Sequence, residues 1–234
     1  MKRTIVIGDV HGCLNTLKAL LSDICPTTED TLIFLGDYID RGNFSAQTVE
    51  FLIDFQKNYP NTICLRGNHE DMFLEACNNG DAYLFIYNGG NTTIFSYEQF
   101  NLENNIWRFE TFGDLKVPKD HLDWIRKLPI SCTIGDYFFA HAGIMPGIEI
   151  SKQDTESLLW IRDEFLNHKE KFEKIIVHGH TPVNDIEILE NRICVDTGCV
   201  YKRKLTAYDL TNKIVFEQNM KIEDKYIRPK GIYN

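Results

Sequence analysis

Asp9 and His11 stand two residues apart, bracketed by Gly8 and Gly12, directly after the apolar run Thr4-Ile5-Val6-Ile7. The arrangement recurs along the chain. Gly36-Asp37-Tyr38-Ile39-Asp40-Arg41-Gly42 follows residues 31–35, and Gly67-Asn68-His69-Glu70 follows residues 62–66. His141-Ala142-Gly143 follows Tyr137-Phe138-Phe139-Ala140, and His178-Gly179-His180-Thr181 follows Lys174-Ile175-Ile176-Val177. Asp, Asn and His offer the oxygen and nitrogen donors that suit borderline divalent cations such as Mn²⁺, Fe²⁺ and Zn²⁺. None of these donors is a cysteine, which speaks against an Fe–S cluster or a structural zinc knot. One Asp-x-His after a strand is more often a capped turn than a ligand pair, and one His-Gly-His is often a plain loop. Five such ends in succession are different, because unpaired carboxylates and imidazoles crowded at one edge are costly without a compensating cation. A metal centre is therefore expected.

Such a centre needs strands that end together. Residues 4–8, 31–36 and 62–66 read as buried strands. Between them, 14–24 carries Leu14, Leu17, Leu20, Leu21 and Ile24 at helical spacing, and 45–58 reads as a second amphipathic helix with Ser45 as its N-cap. Alternating strands and helices imply a parallel sheet with right-handed crossovers, whose ligands bind outside the carboxyl ends of the strands. Residues 71–130 are rich in Asn, aromatics and short helical patterns, and are expected to form a mostly helical cover over one sheet edge. Strands are expected again at 131–140, 174–178, 192–196, 204–210 and 213–218, with antiparallel pairing in a second sheet. The fold class is α/β. Residues 1–220 are read as a single domain, and 221–234 as a loosely held polar tail.

The bulk composition narrows the class of function. The chain has 234 residues, 43% hydrophobic and 25% charged, and a formal net charge of −9. That acidity excludes the electrostatic footprint of a general nucleic-acid binder, while a metal or a few arginines can still receive a small anionic substrate. Seven cysteines occur without a Cys-x-x-Cys pair, and Met1-Lys2-Arg3-Thr4 runs straight into a strand with no apolar signal core. No stretch approaches the roughly 18 apolar residues of a membrane span. A reducing cytoplasm with no membrane association is expected, with the cysteines serving as small buried apolar residues.

The set Gly8-Asp9-Val10-His11-Gly12, Gly36-Asp37-Tyr38-Ile39-Asp40-Arg41-Gly42 and Gly67-Asn68-His69-Glu70 closely resembles the signature of the metallophosphoesterase superfamily. The Asp-Arg-Gly and Asn-His-Glu endings narrow the resemblance to the phosphoprotein phosphatase family. The segments NGGNTTIFSY, FAHAGIMPG, LLWIRDEF, VHGHTP and VDTGCVYKRKLTAYDL look like its bacterial and phage branch, that of lambda phosphatase. The resemblance implies a calcineurin-like fold, a two-sheet β-sandwich flanked by helices, and two divalent metal ions, with Mn²⁺ expected and Fe or Zn as alternatives. It implies that Asp9 and His11 hold the first metal, that Asp37 bridges both, and that Asn68, His141 and His180 complete the second. His69 would be the general acid with Asp40 hydrogen-bonded to it, and Arg41 and Arg162 would clamp phosphate oxygens.

The implied reaction is hydrolysis of a phosphomonoester by direct attack of a metal-bridging hydroxide on phosphorus, without a phosphoenzyme. Two cations about 3.5–4 Å apart acidify a shared water and stabilise an in-line displacement. The poor alkoxide leaving group of serine or threonine needs the proton that His69 can supply. The expected substrate is a phosphorylated protein, with dual specificity towards phosphotyrosine left open. One alternative is a symmetrical diadenosine tetraphosphate hydrolase or other small-molecule phosphoesterase, in which residues 71–130 would shape a nucleotide pocket with aromatics such as Tyr83, Phe85, Tyr87, Tyr97 and Trp107. A further alternative is an inactive binding module, against which the intact acid, bridge and arginines speak. Arg66 is open between lining the site and a salt bridge to Glu70 or another carboxylate. His178 is expected behind the ligands or in the core, and His121 and His168 on the surface. Lys202-Arg203-Lys204 is read either as a rim for anionic substrates or as a solvated strand start.

Overall fold

The computed structural model describes residues 2–104, 109–112 and 115–226. The first third alternates as expected: β1 (Thr4–Ile7), α1 (Leu14–Ile24), β2 (Thr31–Phe34), α2 (Ser45–Asn58) and β3 (Thr62–Cys64). A cover follows, made of α3 (Asn68–Asn79), a short turn α4 (Tyr83–Phe85) that widens into a π-turn over Ile86–Gly90, α5 (Asn91–Asn104), the hairpin β4 (Phe109–Phe112) and β5 (Leu115–Pro118), and α6 (Lys119–Lys127). The chain then runs through β6 (Ser131–Ile134), β7 (Tyr137–Ala140), α7 (Thr155–Trp160), α8 (Asp163–Leu166), β8 (Ile175–His178), β9 (Glu187–Ile188), β10 (Arg192–Cys194), β11 (Lys204–Asp209) and β12 (Ile214–Asn219).

Two five-stranded sheets stack face to face. The first has the order β12-β11-β1-β2-β3 and the second β6-β7-β8-β10-β9. Within the first, β1, β2 and β3 pair in parallel, and β11 pairs antiparallel with both β1 and β12. Within the second, β7, β8 and β10 are parallel, with β6 and β9 antiparallel at the edges. Val6, Ile33, Leu35 and Leu65 meet Phe139, Val177, Ile193 and Val195 between the sheets. The other face of the first sheet packs Ile5, Ile7, Leu32 and Phe34 against α1, α2 and the cover. Both faces of β2 are thus buried, so its sequence is a continuous apolar run with no alternation. Short helices α7 and α8 cover the second sheet through Leu158 and Phe165. No described helix is long and apolar enough to cross a membrane.

Five expectations change. The strands expected at 204–210 and 213–218 do not join the second sheet: β11 pairs antiparallel with β1 and carries β12 at the edge of the first. Residues 131–140 form a hairpin, because Gly135 takes φ +56° and turns the chain back. The cover is not wholly helical, since β4 and β5 pair within it. Ser45 does not cap α2: Phe44 holds the cap position, and the buried Ser45 Oγ accepts from Asp40 N at 3.0 Å. The polar tail does not begin at 221. Asp224 is fully buried, and its carboxylate accepts from Asn15 N at 2.9 Å, Thr16 N at 2.7 Å and the Asn15 and Thr16 side chains. The N–H groups at the start of α1 need an acceptor, and Cys13 at its cap offers no side-chain bond. Residues 227–234 and Trp107 lie outside the described residues.

Candidate metal centre

The parallel pairing of β1, β2 and β3 delivers the Asp9–His11, Asp37–Arg41 and Asn68–Glu70 loops to one edge, and β7 and β8 bring His141 and His180 to face them. His11, Asp37, Asp40, Arg41 and His180 all have positive φ, between 46° and 71°. Each such non-glycine conformation costs of order 1–3 kcal/mol and persists only when its surroundings impose it. Glu70 imposes much of it. Its fully buried carboxylate accepts from Gly67 N at 3.0 Å, Asp37 N at 2.9 Å, Tyr38 N at 2.7 Å and Ile39 N at 3.3 Å, tying the start of α3 to the loop after β2. Gly67 is required there, since a Cβ would lie 2.1 Å from Asp37 Oδ1.

Asp37 occupies the middle of the site. Its Oδ1 lies 3.3 Å from His141 Nε2, and its Oδ2 lies 3.4 Å from His11 Nε2 and 3.9 Å from His69 Nε2. It therefore belongs to two buried donor groups, His11–Asp37–His69 and Asp37–His141–His180. Asn68 Oδ1 joins the second, 2.9 Å from His141 Nε2 and 3.0 Å from His180 Nδ1. Hydrogen bonds on the far side fix the rings. His11 Nδ1 donates to Ile39 O at 2.8 Å and His141 Nδ1 to Leu35 O at 2.9 Å, so both present Nε2 to Asp37. Asp9 stands at the margin: Oδ2 accepts from His180 N at 3.1 Å, and buried Oδ1 has no hydrogen-bond partner among the described residues.

These residues fit a divalent metal pair. Asp9 Oδ1 and His180 Nε2 are buried polar atoms without partners among the described residues, which is costly for a site with nothing to hold. A Cβ on Gly179 would fall 2.1 Å from Asp9 Oδ1, so the backbone is shaped around that carboxylate. The field has the right sign. Burial opposes charge on His141, but Asp37 and Asp9 outweigh it and raise its pKa to about 9. Burial also pushes Asp37 up, yet His141, His69 and His11 together hold it below the usual carboxylate range. Burial and the neighbouring Asp196 push Asp9 up.

The expected acid and clamps sit around this centre. His69 Nδ1 donates to Asp40 Oδ2 at 2.6 Å, and Thr93 Oγ1 donates to Asp40 Oδ1 at 2.6 Å. His69 is therefore held by a braced carboxylate as well as lying within one donor group. Arg41 has Nη1 2.7 Å from His11 Nε2 and its guanidinium over the Tyr201 ring at 5.7 Å. Arg162 is exposed beside the site and donates to Thr181 Oγ1 at 2.8 Å.

The structure chooses between the readings left open for Arg66, His178 and Lys204, and overturns that of His121. Arg66 pairs with Asp71 at 3.2 Å, leaving Glu70 to the loop amides. His178 is fully buried against Phe165, and burial lowers its pKa to about 3. His121 is not on the surface: it is 1% exposed and bridges Glu50 at 2.7 Å and the Tyr97 hydroxyl at 3.2 Å. Lys204 turns away to Asp185 and Glu217, both at 2.8 Å. Glu70, Thr93, Asp196 and Tyr201 carried no assigned role at the site in the sequence reading. The acidic residue three places after the Gly67 cap was the visible signal for Glu70.

Two stacked mixed sheets with Asp, Asn and His donors meeting at their strand tips define a metallophosphoesterase. The calcineurin-like phosphoesterase family matches residues 2–218, and the chain belongs to it. A bis(5'-nucleosyl)-tetraphosphatase (asymmetrical) of Oceanobacillus iheyensis is 26% identical, over 89% of this chain and 88% of its own. A serine/threonine-protein phosphatase 2 of Salmonella typhimurium is 29% identical, over 88% of this chain and 91% of its own. A crystal structure described as a putative diadenosine tetraphosphatase superposes with a TM-score of 0.69 at 20% identity, covering 94% of this chain and 95% of that one. The family uses a dinuclear metal centre and hydrolyses phosphoesters.

Proposed function

We propose that this protein is a metal-dependent phosphomonoesterase that removes phosphate from phosphoserine and phosphothreonine in proteins, with phosphotyrosine as a further substrate. The observation that carries the reading is Asp37, one carboxylate within reach of two separate donor groups, with the His69–Asp40 pair at its edge. Asp9, His11 and Asp37 would hold one cation, and Asp37, Asn68, His141 and His180 the other. Bound there, two divalent cations, Mn²⁺ by expectation, would polarise a phosphoryl group and lower the pKa of water. Arg41 and Arg162 would grip phosphate oxygens with guanidinium forks. Asp40 orients His69 so that Nε2 faces the leaving oxygen and gives it a proton. Thr93 and Ser45 in turn brace Asp40.

A second reading, cleavage of a dinucleoside tetraphosphate, is favoured by the likeness to the Oceanobacillus tetraphosphatase. Purified protein loaded with Mn²⁺ and assayed in parallel on p-nitrophenyl phosphate, a phosphothreonine peptide and diadenosine tetraphosphate separates the two. Turnover of the peptide at a kcat/KM well above that of the dinucleotide is expected. The reverse ranking replaces the first reading with the second, and silence on all three across several metals would leave a binding module.

A further inference from the structure

Two cavities of about 610 Å³ and 510 Å³ lie on either side of Trp160, sharing that ring and Glu156 as a common wall. Together they make one trench. One bank is α3 and the turn after it, with Asp71, Met72, Glu75, Leu84 and Asn88, and the other is α7. The trench reaches the metal centre at both banks. Trp160 packs edge-on to the His180 ring at 6.1 Å. Beyond Asn88, Gly89 O accepts from Arg41 N at 3.3 Å.

The trench walls are mainly acidic, with Arg162, at the end nearest the metal centre, as the cation among their lining residues. Glu75 and Glu156 are exposed and have no ion-pair partner among the described residues. Asp163 and Glu164 extend the same sign past Trp160. Asp71 is paired with Arg66, whereas Asp154 accepts from Ser157 N at 2.7 Å and keeps its negative charge. The other cations near the centre gather on its far side: Arg41 stacks on Tyr201, and the exposed Lys202 and Arg203 follow that ring in the chain. A polyphosphate running through the centre would need cations on both sides. Here one side repels it. Trp160 is 37% exposed, and an indole face beside carboxylates suits an arginine or lysine side chain.

We infer that the trench between α3 and α7 receives the cationic residues flanking the phosphorylated residue of a peptide, so that basic phosphopeptides are the preferred substrate class. This rests on the protein-phosphatase reading above and deepens it. The aliphatic and aromatic walls take the stems of long basic side chains, and Glu75 and Glu156 meet their charged heads. Exposed pairs are weak singly and act chiefly on encounter and selectivity.

The test uses two phosphothreonine peptides that differ only in flanking residues, Arg and Lys in one and Glu in the other, with p-nitrophenyl phosphate as a reporter of the centre. The readout is the ratio of kcat/KM for the two peptides on one preparation, so a partly misfolded sample cancels. At low salt the basic peptide should be favoured about tenfold, since two exposed charge contacts act together. The ratio should fall towards one in 0.5 M NaCl and in the Glu75→Gln/Glu156→Gln protein. A wild-type ratio near one, or a ratio that the double variant leaves intact, overturns the inference while the protein-phosphatase reading stands. Turnover of p-nitrophenyl phosphate or diadenosine tetraphosphate with both peptides untouched removes both.

Discussion

At the scale of single residues, His69 is held through Nδ1 by Asp40 at 2.6 Å while its Nε2 lies 3.9 Å from Asp37 Oδ2, a geometry that serves an acid or a ligand alike, so kinetics must separate the two. If His69 serves the leaving group, its loss matters in proportion to how badly that group leaves. His69→Asn should keep both metals, slow a phosphothreonine peptide by about 10²–10⁴-fold, and slow p-nitrophenyl phosphate much less, because a phenolate departs without a proton. Parallel kinetics with metal analysis check this, and equal slowing of both substrates would make His69 a ligand instead. The donors themselves were legible in the sequence because each follows an apolar run and stands within two residues of a glycine. Glu70, Thr93 and Tyr201 were not, since their work is done on loops distant in the chain. Glu70 acts on residues 37–39, and Thr93 reaches back to Asp40 across 53 positions. His121 misled because its polar neighbours suggested solvent, whereas the helix turns it inward onto Tyr97.

Elements were legible where a regular period lasts long enough to read. The apolar spacing placed α1 at 14–24 and α2 at 45–58, and those are their bounds in the structure. The 131–140 strand failed because one glycine turn splits a run whose two halves look alike, and the cover hairpin failed because its strands are short and embedded among helices. The C-terminal turn shows how an element can depend on a distant residue. Asp224 supplies the acceptor that α1 lacks, and α1 begins just after His11. Asp224→Ala should cost about 1–3 kcal/mol, the range for leaving buried donors unsatisfied, read as a lower urea midpoint at unchanged slope. An unchanged midpoint would return residues 221–226 to the status of a tail. His121 joins α6 to α2 and α5, and burial lowers its pKa below 6.5 despite the opposing pull of Glu50. The folded state keeps it neutral while the unfolded chain takes up a proton. Its contribution is therefore complete above pH 6.5 and declines as pH falls towards the lowered value. The linkage limit for one proton is about 1.4 kcal/mol per pH unit. Between pH 7 and 5, His121→Gln should lose stability with a shallower slope than the unaltered protein, and parallel slopes would deny the linkage.

Over the whole molecule, the donors come from both halves of the sandwich. Asp9, His11, Asp37 and Asn68 follow strands of the first sheet, and His141 and His180 follow strands of the second. The interior between the sheets is apolar, and the donors at the polar edge add a directional tie between the two halves. Ions bound to both sets of donors would bind the folded chain and not the unfolded one. At a free concentration one hundred times the dissociation constant, such binding adds about 2.7 kcal/mol. For a chain of this length that raises the melting temperature by about 5–10 °C. Chelated protein should therefore melt lower, and Mn²⁺ should restore the difference without any substrate present. Asp37→Asn keeps the shape of the side chain but removes the charge shared by both donor groups. It should lose bound metal and activity together and melt at one temperature with or without Mn²⁺. A Mn²⁺-dependent rise of normal size in that variant, with two ions retained on metal analysis, would show that the two halves are bridged by other groups and that Asp37 is not the link between them.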